Sequence, residues 1–320
     1  MQHVVQDRLG RYWVGQSDEI TLFAANGRFL ATIGREGQGP LEFLRAHPFH
    51  ADSANWVHVL DTGNMRLSVI REDLSLFEDT AIPAGYISDI VAEPGTGSYV
   101  IQSWIPSAER LGFPLHRLSG GTIVSSFGVS PVVDSDRLPD QGLLNDFAAQ
   151  RELALSVGGN VVSAHIWDYI VEFWSEDGSR IGRLSGSPLD DGLRGEPGPW
   201  SINNPPWHGV RDIWVDRYDR LWVLLVYRRP DWEDRVIEVV RPNGSVGLDF
   251  PEGLSAVYRS RIEIVDPFAC STIASGWFEE GSLGKFVRGV PFGDTASVTR
   301  GSYGPLGDPF VDVWNVSLGR

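Results

Sequence analysis

The chain has one cysteine, Cys270, one lysine, Lys285, and no apolar run of the roughly 18 residues that a membrane-spanning helix needs. A lone cysteine rules out an intrachain disulfide, a Cys-x-x-Cys redox pair and a multi-cysteine metal site, so Cys270 reads as a small strand residue. A lone lysine leaves arginine to carry nearly all the positive charge, which fits either a GC-rich genome or selection for guanidinium forks. Acidic residues outnumber basic ones 42 to 27, a net charge of -15, and that field repels phosphate backbones and anionic headgroups. Nucleic acid is therefore not an expected partner. Neither a Gly-x-Ser-x-Gly nucleophile elbow nor a His-Glu-x-x-His zinc motif occurs. The glycine-rich residues 34–40 follow a strand but lack the Gly-Lys-Ser/Thr ending of a phosphate loop, and read as a chain crossing. No basic stretch followed by an apolar run opens the sequence, so no signal peptide is read in it.

Hydrophobic residues make up 42% of the sequence and aromatics 11%, with 12 tryptophans, enough for an ordered core. They are arranged in a phrase that returns: a short apolar strand, a tight polar turn, a second strand, then an Asn-Gly or Asp-Gly turn. Tyr12-Trp13-Val14, Ile20-Thr21-Leu22-Phe23, Asn26-Gly27 and Phe29-Leu30-Ala31-Thr32-Ile33 are its first full statement. A short-strand repeat of roughly 40 residues marks a propeller. The expected fold is all-β: one six-bladed β-propeller domain over residues 1–320, with four antiparallel strands per blade, a to d from the axis outward. Blade two is read from residues 56–60, 67–70 and 75–77, and residues 34–48 as the crossing before it. In blade five residues 212–215 and 221–226 are clear strands, but the outer pair is open. Either residues 236–240 pair next, or they belong to a hairpin inserted around residues 231–260 and residues 262–265 resume the blade. Blade six takes the strands that remain, up to Val316. An open ring leaves unpaired edges. With the first strand beginning almost at Met1, incomplete closure of the last blade is expected, through missing upstream chain or a sixth blade of only three strands.

Antiparallel pairing sorts the connections, placing b-to-c turns and d-to-a crossings on one rim and a-to-b and c-to-d turns on the other. The second set is short and generic, as in Leu9-Gly10, Asn26-Gly27 and Asp177-Gly178. The first set is longer and carries bulky polar and aromatic side chains, so binding residues are expected there. The candidates are Trp104, Arg110, His165, Trp167, Arg228, Arg229 and Trp232, since tryptophan and arginine anchor interfaces most often. No catalytic residue is assigned. For an axial cation, calcium or another divalent ion, the candidates are Asp18, Asp61 and Asp168, without the ligand spacing of an EF-hand loop.

The residues Asn26-Gly27-Arg28-Phe29-Leu30-Ala31-Thr32-Ile33-Gly34-Arg35-Glu36-Gly37-Gln38-Gly39-Pro40-Leu41-Glu42-Phe43 resemble a blade-crossing phrase, G-R-x-G-x-G-P-x-E-F. That phrase belongs to bacterial six-bladed β-propellers related to NHL-repeat proteins. Asp61-Thr62-Gly63-Asn64-Met65-Arg66-Leu67 is similar to the D-x-x-N-x-R-hydrophobic phrase of that group, and Asp308-Pro309-Phe310-Val311-Asp312-Val313-Trp314 to its last strand. The likeness is good over residues 26–70 and weak over most of the rest. It implies a periplasmic or secreted protein exported behind a leader, with a mostly non-catalytic binding or scaffolding role. The leading expectation is thus a non-enzymatic propeller that recognises a protein partner or a glycan through the loop-rich rim, including as an accessory subunit of an extracytoplasmic complex. The alternative, implied by gluconolactonase-like and strictosidine-synthase-like relatives, is a metal-dependent lactonase or esterase whose axial ion polarises a carbonyl or activates water. A third reading is a structural domain cut from a longer protein.

Overall fold

The short strands are held in register by one turn, used repeatedly. Asp7-Arg8-Leu9-Gly10-Arg11-Tyr12-Trp13 and Asp216-Arg217-Tyr218-Asp219-Arg220-Leu221-Trp222 fold identically. Each aspartate accepts from the N–H groups two and four residues ahead, at 3.0 and 2.9 Å for Asp7 and 2.8 and 3.0 Å for Asp216. Its second oxygen accepts from the arginine Nε, at 2.6 and 2.7 Å, and from the buried indole N–H, at 3.0 and 2.9 Å. The fourth residue must be left-handed to close the turn, with φ of 75° at Gly10 and 59° at Asp219. Asn55, Leu74, Gly159 and Gly178 close their hairpins with the same positive φ.

The structure is a computed structural model that describes residues 3–83, 86–105, 113–128, 150–166, 169–185, 200–206, 208–242, 244–269, 271–279, 283–289, 294–303 and 309–317. Blade one is β1 (Val4–Gln6), β2 (Tyr12–Gly15), β3 (Ile20–Phe23) and β4 (Phe29–Ile33), each antiparallel to the last. A two-residue parallel pair, β5 (Arg35–Glu36) and β6 (Glu42–Phe43), ties the crossing. Blade two is β7 (Ala46–Ala51), β8 (Val57–Asp61), β9 (Arg66–Ile70) and β10 (Leu76–Ala81). Blade three is β11 (Tyr86–Glu93), β12 (Ser98–Trp104), β13 (Leu115–Ser119) and β14 (Thr122–Phe127). Blade four is β15 (Arg151–Leu155), β16 (Val161–His165), β17 (Ile170–Trp174) and β18 (Arg180–Ser185). Blade five opens with β19 (Gly209–Val215) and β20 (Leu221–Arg228). A separate hairpin of β21 (Ile237–Val240) and β22 (Val246–Asp249) follows, before β23 (Tyr258–Asp266) and β24 (Ser271–Phe278) complete the sheet. The last strands are β25 (Arg288–Gly289), β26 (Thr295–Tyr303) and β27 (Pro309–Ser317).

The blade count of six is thereby corrected to five four-stranded blades among the described residues. Two features account for the difference. Blade five absorbs the chain between Arg228 and Tyr258 into an insertion, because β20 pairs directly with β23. The last segment forms only a two-stranded sheet, β26 with β27, joined by backbone hydrogen bonds to residues 284–287. Blade two also starts earlier than its sequence suggests. Pro48 reads as a strand breaker, but it sits beside a bulge in β7, an edge strand of its sheet, where a residue without an N–H is tolerated.

Burial grades from the axis outward. The second strands β16 and β20 pack on both faces between neighbouring blades, so they read as continuous apolar runs, whereas β10 and β24 at the perimeter are largely exposed. Separate apolar clusters fill the seams, one of them from Val5, Trp13, Phe43 and Val57 between blades one and two. Two aspartates that each follow a bulge add directional links. Asp89 on β11 accepts the Leu153 N–H of the next blade at 2.6 Å, and Asp212 on β19 accepts the Phe286 N–H at 2.7 Å. The ring then closes through β25, which runs parallel to β1 at Val5 and Gln6, and through Val287 packed on Val4 and Val14. The first strand therefore joins residues 288–289 rather than β27.

Replacing Asp216 by alanine strands a buried indole N–H, two backbone N–H groups and one side of Arg220, and should cost about 3 kcal/mol in denaturant-unfolding free energy. Asp177→Ala, in an exposed turn of the same face, should leave the midpoint nearly unchanged.

Candidate binding site at the axial mouth and upper rim

The first strands of the blades, β1, β7, β11, β15 and β19, are neighbours in that order around the axis. Two pockets lie at opposite ends of these strands. The upper one, about 400 Å³, meets their beginnings at His3, Arg45, His47, Ser88 and Asp89, with Phe49, Leu60 and Met65 among its apolar lining. The lower one, about 320 Å³, meets their ends at His50, Val91, Ala154, Trp214 and Arg217. Asp89 of the upper pocket and Arg288 of the lower are ion-paired at 3.6 Å, so a charged plug separates the two.

That plug is buried. Arg288 also pairs with Asp212 at 2.6 Å and donates to the Leu153 carbonyl at 2.8 Å, while Lys285 pairs with Glu152. Burial by itself would favour a neutral Lys285. The carboxylates of Glu152, Asp89 and Asp212 outweigh it and raise the ammonium pKa, so the lysine stays charged. In the upper pocket the balance is opposite. Desolvation pulls His47 down to about 4, helped by Arg45 and Lys285, and takes His3 well below its usual value, helped by His47, Lys285 and Arg288. Both imidazoles are neutral at physiological pH, packed edge to face at 4.4 Å.

Of the seven binding candidates, four have described side chains: Arg228, Arg229 and Trp232 lie together at the base of the blade-five insertion, and His165 lies in blade four. His165 is buried at the end of β16, 3.5 Å from Glu172. Trp232 is buried in the core of the blade-five insertion with Leu248, Val257 and Tyr258, and Arg228 lies 5.3 Å over its ring while donating to the Pro206 carbonyl. Arg229 pairs with Asp231 at 3.0 Å and donates to the Glu279 carbonyl. Trp104 ends β12, its backbone opposite Tyr86; its side chain, Arg110 and Trp167 lie outside the described residues. Of the cation candidates, Asp61 is fully buried and accepts from the Arg45, Gly63 and Asn64 N–H groups, Asp18 sits half-buried in the β2–β3 turn, and Asp168 lies outside the described residues. Among the described residues no three His, Cys, Asp or Glu side chains group as a metal site.

The sequence reading missed the surface that the tertiary structure assembles beside the insertion. Trp277 on β24 is 42% exposed, with Arg259 at 4.0 Å and Arg261 at 5.4 Å from its ring and Tyr227 packed against it at 5.0 Å. Arg259 and Arg229 both reach Glu279, which links this patch to the base of the insertion. The insertion displays Ile237, Val240, Val246 and Leu254 to solvent. The alternation Arg259-Ser260-Arg261 was the available signal, since residues two apart on a strand share a face.

No protein-family model and no curated protein matches the sequence. Solved structures match its fold. Hydrazine synthase of Kuenenia stuttgartiensis aligns with a TM-score of 0.54 at 11% identity, over 92% of this chain and 72% of that one. Virginiamycin B lyase from Staphylococcus aureus gives 0.51 at 11% identity, over 99% and 94%. A member of the DUF4221 family from Bacteroides vulgatus gives 0.51 at 8% identity, over 99% and 92%. These likenesses establish a β-propeller and carry no activity across to this chain. Among the described residues no helix is long and apolar enough to cross a membrane.

Glu172 beneath the upper rim gives this region a pH signature. Burial would raise its carboxyl, but the His165 ring 3.5 Å away and a hydrogen bond from Arg180 outweigh that and hold it at about 2, below the ordinary 4.5. A carboxyl depressed on folding stabilises the protein fully above the unfolded value and loses that effect as pH falls through the folded one. Glu172→Gln should therefore be destabilising at pH 7, with its difference from wild type shrinking between pH of about 5 and about 2 in thermal melts.

Proposed function

We propose that this protein is a non-enzymatic propeller that binds a protein partner through the upper corner of blade five. The observation that carries the reading is the insertion between β20 and β23. It has its own apolar core of Trp232, Leu248, Val257 and Tyr258, yet leaves Ile237, Val240 and Val246 exposed on the rim where the long connections gather. A hairpin with apolar side chains facing water is a contact surface or an aggregation hazard. Its neighbour Trp277, flanked by two guanidinium groups, has the composition of an interface anchor. The lower face also exposes Leu9, Val157, Tyr218 and Phe268, but these stand on the short turns that hold the blades in register rather than on an added element with its own core. A protein partner suits the aliphatic character of the hairpin better than a glycan does. Assembly onto a larger periplasmic or secreted complex follows from the same reading. Hydrolysis has weaker support, because the carboxylate of Asp61 is already taken up by backbone N–H groups.

Affinity capture from lysate of the source cell, followed by cross-linking, tests this. One protein should be retained and cross-linked at β21, β22 or β24, and lost with Trp277→Ala and with Val240→Asp, both at exposed positions. Capture that survives both changes, or cross-links confined to the lower turns, would sink the proposal. Lactone turnover that needs a divalent ion and stops on chelation would replace it with the hydrolase reading.

A further inference from the structure

The upper pocket is a second, separate place where this chain can bind something, and its side chains identify the class of ligand. At about 400 Å³ it falls within the range of small-molecule sites. One wall is apolar, formed by Phe49, Leu60, Met65 and Ile87. The rest presents polar groups with no protein partner among the described residues. Arg45 is exposed at the mouth and enters no ion pair, the His3 and His47 rings pack on each other and make no side-chain hydrogen bond, and the buried Ser88 hydroxyl makes none. Unused donors around a half-apolar cavity are the usual form of a binding site rather than of a packed core.

The two carboxylates nearby do not oppose an anion. Asp89 is neutralised by Arg288 and holds the Leu153 N–H, and Asp61 accepts several backbone N–H groups and faces Arg66 at 3.7 Å. Lys285 and Arg288 are likewise taken up by Glu152, Asp89 and Asp212, so the charge left uncompensated at the pocket mouth is the Arg45 guanidinium. The net charge of -15 disfavours a multiply charged ligand, and a single free guanidinium at the mouth matches one planar monoanion. We infer that the upper axial pocket binds a small monocarboxylic acid with an apolar body, its carboxylate on Arg45 and the His3–His47 pair and its body against Phe49, Leu60 and Met65. The inference is independent of the partner surface on blade five.

Isothermal titration of the full chain with benzoate, phenylacetate and hexanoate, each alongside its primary amide, decides it. At least one acid should bind saturably with one-to-one stoichiometry, and its amide about tenfold or more weaker, as expected for losing a charge-assisted hydrogen bond. Arg45→Ala should weaken the acid by a similar factor. Arg28→Ala, an exposed arginine in a turn of the opposite face, should not. Arg45 is at the surface, so circular dichroism should show an unchanged fold, and Arg45→Lys should recover part of the affinity. Equal binding of acid and amide, unchanged affinity in Arg45→Ala, or no saturable binding by any of the three acids would each overturn the assignment.

Discussion

Asp212 carries two bonds on which the ring depends. One carboxylate oxygen takes the Phe286 N–H and the other takes the Arg288 guanidinium, so a single side chain on β19 fastens the segment that reaches round to β1. A buried charge costs several kcal/mol to desolvate and is tolerated only when its partners are complete. Here they are: Arg288 faces both Asp212 and Asp89, and Lys285 faces Glu152, so cations from the end of the chain meet carboxylates from three different blades. Apolar packing alone would hold neighbouring blades together without specifying which strand meets which. The directed bonds of Asp89 and Asp212 supply that registry.

The same economy separates the two faces. The lower face repeats one turn, closed by a left-handed residue three positions after its start; Asp7, Asp52 and Asp216 start three of these turns, and in blades one and five a buried indole donates to that aspartate. Stability concentrates there. The upper face is released from that duty and holds the longer connections, the insertion of blade five and the open pocket between the first strands of blades one to three. Longer connections gather on the face opposite those short turns, as loops free of a registry role do.

Some of the residues that look like binding residues in the sequence are held in packing contacts. Trp232 and Arg228 stack on each other to seat the insertion, and His165 pairs with Glu172 inside blade four. Residue type pointed to them, because tryptophan and arginine are also common at interfaces. Type does not distinguish a ring buried under its own loop from one facing a partner. Trp277 shows the converse: nothing in its local sequence marks it, and only the pairing of β23 with β24 brings Arg259 and Arg261 over it.

What the sequence by itself determined was local: the strand runs, the hairpin turns and the sorting of short and long connections onto two faces. These depend on side-chain period and on residues a few positions apart, and they could be read from the chain. The number of blades, the route of ring closure, the buried charges at the axis and the pocket of Arg45, His3 and His47 were decided by the tertiary structure alone. Each joins residues far apart in the chain, as with Lys285 and Glu152 or Arg288 and Asp89. Such pairings follow from how the blades are arranged around the axis, and no local pattern encodes them.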